Sequence, residues 1–144
     1  MASTFRRDVT AGLIALAEDF KTANPTLLLR VYARRPLGFT GDLPAAYVGS
    51  HNETFRPYVG VWHRTMEPQL VLVCNPTGET DEIADEVDTL TDEFLDYANS
   101  RPHAVSSNSA TWPATVRDVE LELDNVTYPA VVITFTALGG EGRG

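Results

Sequence analysis

The groups able to do covalent or acid–base chemistry in this chain are few and scattered. Cys74 is its only cysteine, and His51, His63 and His103 are its only histidines. A cysteine nucleophile works as the thiolate, held by a neighbouring histidine or cation. Cys74 instead ends the apolar run Leu70-Val71-Leu72-Val73, where a small buried filler is the expectation. No two histidines stand in a short His-x-His or His-x3-His spacing, so a metal site would have to be assembled wholly by the fold. The Gly-x-Ser-x-Gly elbow that exposes a nucleophilic serine is missing. Gly38-Phe39-Thr40-Gly41 lacks both the lysine and the strand–helix setting of a phosphate cradle. The expectation is a protein without catalytic residues, cofactor or metal, and not an enzyme.

Two other sets of residues stand out. Between Arg64 and Arg101 there is no basic residue, while Asp81, Glu82, Asp85, Glu86, Asp88, Asp92, Glu93 and Asp96 crowd one segment. On a helix, the pairs Asp81–Asp85, Glu82–Glu86, Asp88–Asp92 and Asp92–Asp96 fall at i,i+4, each costing about 0.2–0.5 kcal/mol. Such a face is either simply solvated, or it meets a basic partner or repels DNA. The expectation is an exposed face outside any subunit contact, unless arginines such as Arg6, Arg7, Arg34, Arg35 and Arg56 reach it from a neighbour. The second set is Arg34, Arg35, Phe39, Phe55 and Arg56, arginines and aromatics in segments too irregular for core. These residue types are enriched at protein interfaces; the alternative is that the aromatics fold back as lids.

The elements that would position these residues follow from periodicity. Phe5, Val9, Leu13, Leu16 and Phe20 make one helical stripe, with Ser3 or Thr4 as cap and Asn24-Pro25 as stop. Residues 27–33 read as a strand, ended by Arg34-Arg35-Pro36. Residues 36–44 read as a loop, 46–48 as a short extended piece, and 50–57 as a second loop. Both loops are expected to be poorly ordered in a free subunit, being punctuated by glycine and proline and short of apolar anchors. Residues 58–63 and 70–74 read as strands joined at Glu67-Pro68, the second apolar on both faces and so central. Ile83, Val87, Leu90, Phe94 and Ala98 stripe a second helix over 80–98, capped by Thr80 or Asp81. Residues 99–114 read as a loop. Val119, Leu121 and Leu123 alternate with acids as a half-exposed strand, which Asp124-Asn125 turns into a partner over 129–137. The fold class is α+β: a mostly antiparallel sheet of about five to six strands, with two helices packed on one face. Residues 1–138 form a single domain and 139–144 a disordered Gly-rich tail.

With 144 residues, the chain is long enough for a real core. A net charge of −9 argues against gripping nucleic acid through its phosphates, though not against DNA sliding past. No apolar run approaches a membrane span, and no secretory signal opens the chain, so synthesis and residence in a cytoplasm are expected.

The element order, the first helical stripe and the strand ending in Arg34-Arg35-Pro36 together resemble the tail terminator (tail completion or minor tail) proteins of long-tailed bacteriophages. So do Asp42-Leu43-Pro44-Ala45-Ala46-Tyr47-Val48-Gly49 and Val126-Thr127-Tyr128-Pro129-Ala130-Val131-Val132-Ile133-Thr134-Phe135. The likeness spans nearly the whole chain. It implies a structural virion subunit at the neck end of the tail, built in the host cytoplasm. The subunit would form a homo-hexameric ring that caps the tail tube, stops its polymerisation and joins it to the head-completion side. Its partners would be copies of itself, tail-tube subunits, a head-completion or neck protein, and DNA passing without specific binding. The rivals are another head–tail connector, a small enzyme built around His51, His63 and an acidic residue, and a bacterial adaptor with an acidic binding helix.

Overall fold

In the computed structural model, residues 5–39, 42–58, 61–102, 105 and 111–142 are described, with the backbone alone for 56–58, 61–63 and 139–142. Two helices and five strands follow in the order α1 (Phe5–Ala23), β1 (Arg30–Tyr32), β2 (Ala45–Tyr58), β3 (Val61–Val73), α2 (Thr80–Asn99), β4 (Thr111–Leu123) and β5 (Val126–Gly142). They build one sheet, ordered β1-β2-β3-β5-β4. The β1–β2 pair is parallel and the other three are antiparallel. The fold is α+β, as the periodicity implies.

Both helices lie on one face. α1 buries Val9, Leu13, Leu16, Ala17 and Phe20, and α2 buries Leu90, Phe94 and Ala98. Phe94 links the layers: its ring meets Phe20 edge-on at 5.2 Å and Phe135 of β5 at 6.4 Å. Central β3 and β5 are buried on both faces through Leu70–Val73 and Ala130–Ile133, as an internal strand requires. Asp124 and Asn125 carry φ of 53° and 64°, the backbone of a two-residue hairpin turn whose twist matches its strands.

Several expectations about the strands are overturned. The segment 50–57 is not a loop; β2 runs unbroken from Ala45 to Tyr58. Its outer half pairs with β3 and takes charged partners from the helix side, so it needs no apolar alternation. Nor does the chain turn at Glu67-Pro68. Pro68 sits within β3, opposite an irregularity in β2 between Val48 and His51, and bulges are where a strand tolerates a residue without an N–H. Pro113 lies beside a second irregularity, between Pro113 and Thr115, so 111–114 belong to β4 rather than to a loop. Conversely, the strand expected over 27–33 shrinks to Arg30–Tyr32. The tail is a strand as far as Gly142, with Gly139, Gly140, Glu141 and Gly142 opposite Arg64, His63, Trp62 and Val61; residues 143–144 lie outside the described residues, as do the proposed caps Ser3 and Thr4. Glu79, not Thr80 or Asp81, is the N-cap of α2, and its side chain makes no capping bond.

Residues 36–44 also differ from expectation, because they do have apolar anchors. Phe39 packs edge-on against Tyr128 at 5.1 Å and Tyr32 at 6.0 Å, and Leu43 is buried. The segment covers half of the sheet face that the helices leave bare. Thr40 and Gly41 lie outside the described residues.

Gly12 marks the closest approach in the helical layer. A Cβ there would overlap the Val105 carbonyl oxygen, so the helix accepts the entropic cost of an internal glycine to let the Val105 backbone approach. Gly12→Ala should therefore destabilise the protein by about 1–3 kcal/mol rather than give the gain expected of an exposed helix position. Urea unfolding checks this; a stabilised variant would show that Val105 gives way freely.

Candidate functional site

The irregularity in β2 decides where its polar residues point. Strand alternation puts Ala46 and Val48 toward the helices; the extra residue then re-phases the strand, so that His51, Glu53 and Phe55 face the same side. There they meet α1 and β3. Glu53 Oε2 accepts Arg64 Nη2 at 2.9 Å and Nε at 3.3 Å. Its Oε1 lies 3.5 Å from Arg6 Nε and 3.3 Å from His51 Nε2, an ion pair with His51 only when the ring is protonated. Oε1 makes no well-directed hydrogen bond, so charge alone holds it. The Arg64 guanidinium lies over both the Phe5 ring, at 5.2 Å, and the Phe55 ring, at 5.1 Å, a favourable placement for a cation between π faces. This cluster fastens the long β2–β3 hairpin to the start of α1.

The opposite sheet face carries a groove of about 400 Å³. Its floor is Tyr47, Val71, Val119, Leu121 and Val132, and Arg35, Arg117, Ser50 and Gln69 stand around it. Arg35 Nη2 donates to the Glu122 carbonyl at 3.2 Å, tying the 33–44 segment across the sheet to β4. Burial pushes the Tyr47 phenol above its usual range, against an opposing pull from Arg35. A second hollow adjoins it at Val48, Gly49 and Ser50 and is lined by Arg6, Arg34 and His51.

The expected interface residues do not form one patch. Arg34 and Arg35 are exposed beside the groove. Phe39 is a lid on the core, as the alternative reading had it. Phe55 is 52% exposed at the far end of the hairpin; Arg56 is also there, its side chain outside the description. The acidic face stands out from α2 with Asp81, Glu82, Asp85, Asp88, Asp92, Glu93 and Asp96 exposed. Glu86 does not belong to it: half-buried, it accepts the Asn75 N–H at 3.0 Å. Arg117 and Leu37 were missed. Arg117 alternates with Val119 and Leu121, a period-two signal that would have put it on their face; Leu37, 98% exposed, carried no such signal.

Cys74 is fully buried, and burial together with the nearby Glu86 carboxylate pushes its thiol up to about 12. It is the apolar filler expected, protonated at any ordinary pH. His51 and His63 sit on neighbouring strands but five rungs apart (68 − 63, from the pairs His51↔Pro68 and Arg56↔His63), roughly 16 Å along the strand. His103 lies outside the described residues. Among the described residues no group of His, Cys, Asp and Glu is arranged to hold a metal ion, and no helix is long and apolar enough to cross a membrane. Set against known proteins, the chain matches no protein-family model and no curated sequence.

Two outcomes are expected. Glu53→Gln should cost about 2–3 kcal/mol, because Arg64 would keep its desolvation but lose its counter-charge; a change below about 0.5 kcal/mol in urea unfolding would show that the hairpin is held by other contacts. The raised thiol has a definite sign. The folded state keeps the proton that the unfolded chain gives up near the ordinary value of 9.0, so stability falls as pH rises from there through about 12. Unfolding free energy should decline less steeply over that window in Cys74→Ala than in the wild type, and equal slopes would refute the assignment.

Proposed function

We propose that this chain is a ring-forming structural subunit of a virion, resembling the tail terminator of long-tailed bacteriophages. It caps the tail tube, ends tube growth and joins the tail to the head-completion side. The observation that carries this reading is how much strand surface the single chain leaves uncovered. Among the described residues β1 pairs only with Ala45, Ala46 and Tyr47 and the outer edge of β2 has no neighbouring strand beyond them, and β4 is the other edge of the sheet. Unpaired strand edges of this length are templates for further contacts. Leu37, Phe55, Trp112 and Leu138 are exposed around the same sheet. This is the anatomy of a subunit whose surface is completed by neighbours.

The chemistry supports the same reading. Cys74 is buried and protonated, and the wide spacing of the His51 and His63 backbones leaves the small-enzyme alternative without its expected cluster. The net charge of −9 suits a body past which DNA slides without sticking. The stretches that carry the resemblance fall in α1, at the end of β1, at the entry to β2 and along β5.

The reading is tested by native mass, measured alone and with tail-tube subunits, together with electron microscopy of the product. A closed ring, hexameric if the resemblance holds in full, should form and bind the end of the tube, and duplex DNA should not be retained near physiological salt. A chain that stays monomeric under every condition and leaves tube length unchanged would overturn it. Binding to a neck component but not to the tube would make it a connector instead.

A further inference from the structure

The charges of this chain are unevenly matched. Arg6 and Arg64 are committed to Glu53, Lys21 to Glu18, and Arg30 to Asp42. Arg101 lies on the Tyr97 ring. Among the described residues, Arg7, Arg34, Arg35 and Arg117 make no ion pair with a carboxylate, and neither does any exposed carboxylate of α2. Two of these arginines, Arg35 and Arg117, stand at the apolar groove, while Arg34 lines a hollow shared with Arg6 and Thr10 of α1. The groove lies on the sheet face opposite the helices, so α2 of the same chain cannot reach it.

We infer that the groove receives the acidic face of α2 from a second copy of this chain. The inference rests on the ring-forming reading and names its contact. Asp81, Asp85, Asp88, Asp92 and Asp96 recur at one per helical turn, so a helix laid across the sheet offers carboxylates to arginines on both flanks. Ala84 and Thr89, small and exposed, lie on the two flanks of that stripe. Each copy then uses its helix layer toward one neighbour and its bare sheet face toward the other. Such a contact is heterologous, and it generates a closed ring when the rotation per copy closes. The charges sit at the rim of the groove, where they set register and encounter rate and are screened by salt. The same pairing removes the like-charge repulsion along α2 that no ion pair among the described residues relieves.

The test is a charge swap read by sedimentation. Wild-type chain should self-associate, more weakly as salt rises. The groove variant Arg35→Glu/Arg117→Glu and the helix variant Asp85→Arg/Asp88→Arg should each lose self-association by at least about tenfold. Mixed together in equal amounts, they should regain association as alternating copies, since the arginines of one helix then face the glutamates of the other groove and the native helix of the groove variant still meets the native arginines of the helix variant. If either variant fails to fold, the near-isosteric Asp85→Asn/Asp88→Asn/Asp92→Asn chain carries the test, and weakened association with an unchanged circular-dichroism spectrum is expected. Association that survives every variant would overturn the docking while leaving the ring reading intact. A wild type that remains monomeric at all concentrations would overturn the docking, and the ring reading with it if tube length is also unchanged. If the groove variant changes only retention on duplex DNA, the arginines serve nucleic acid and the inference is wrong.

Discussion

A sheet has two faces, and this chain supplies helices for only one of them. α1 packs against β1, β2 and β3 and α2 against β4 and β5, on the same side, so the other face must be closed by something cheaper than a third helix or left tolerant of water. Both solutions are used. The half nearest Ala45, Tyr47, Val73 and Tyr128 is covered by the 33–44 segment, pinned by Phe39, Leu43 and the bond from Arg35 to the Glu122 carbonyl. The other half carries Thr65, Glu67, Gln69 and Thr134, which solvent can meet directly. The groove lies where the two regimes join, with an apolar floor and charged flanks, because the cover stops before the apolar strip does.

The outer hairpin obeys a different rule. Beyond the irregularity in β2, the strands have run past most of the helical core, and an apolar alternation there would only expose hydrocarbon. A carboxylate held between guanidinium groups does the fastening instead, with two aromatic faces around Arg64. Hydrogen-bonded ionic contacts of this kind are directional, so they hold the hairpin at a set angle to α1 where packing alone would let it swing. The low exposure of Glu53 and Arg64 is what makes the contact matter energetically, since surface pairs in full solvent contribute little.

Charge segregation then shapes how the molecule meets others. The absence of any basic residue between Arg64 and Arg101 leaves α2 without internal compensation, and two of the unmatched arginines, Arg35 and Arg117, lie across the sheet. A fold that keeps its opposite charges on opposite faces cannot neutralise them alone. It presents carboxylates along α2 and guanidinium groups at the groove across the sheet.

Both helices, the central strands and the Asp124-Asn125 turn could be read from the sequence, because each depends on local periodicity or on backbone preference within a few residues. The stripe from Phe5 to Phe20, the unbroken apolar run at Leu70 to Val73 and the alternation of Val119, Leu121 and Leu123 each state a face without reference to a partner. The strands lined with Thr, Asn, Glu and Pro were illegible for the complementary reason. Residues 50–58 are strand because β3 pairs with them and because Arg6 and Arg64 neutralise Glu53, and Pro68 and Pro113 are tolerated because irregularities in the pairing fall beside them. The Gly-rich end is strand because β3 lies alongside. Arg35, Arg117 and the floor of the groove come from five separated segments. Their meeting is a matter of sheet order and register, which no single stretch of this chain encodes.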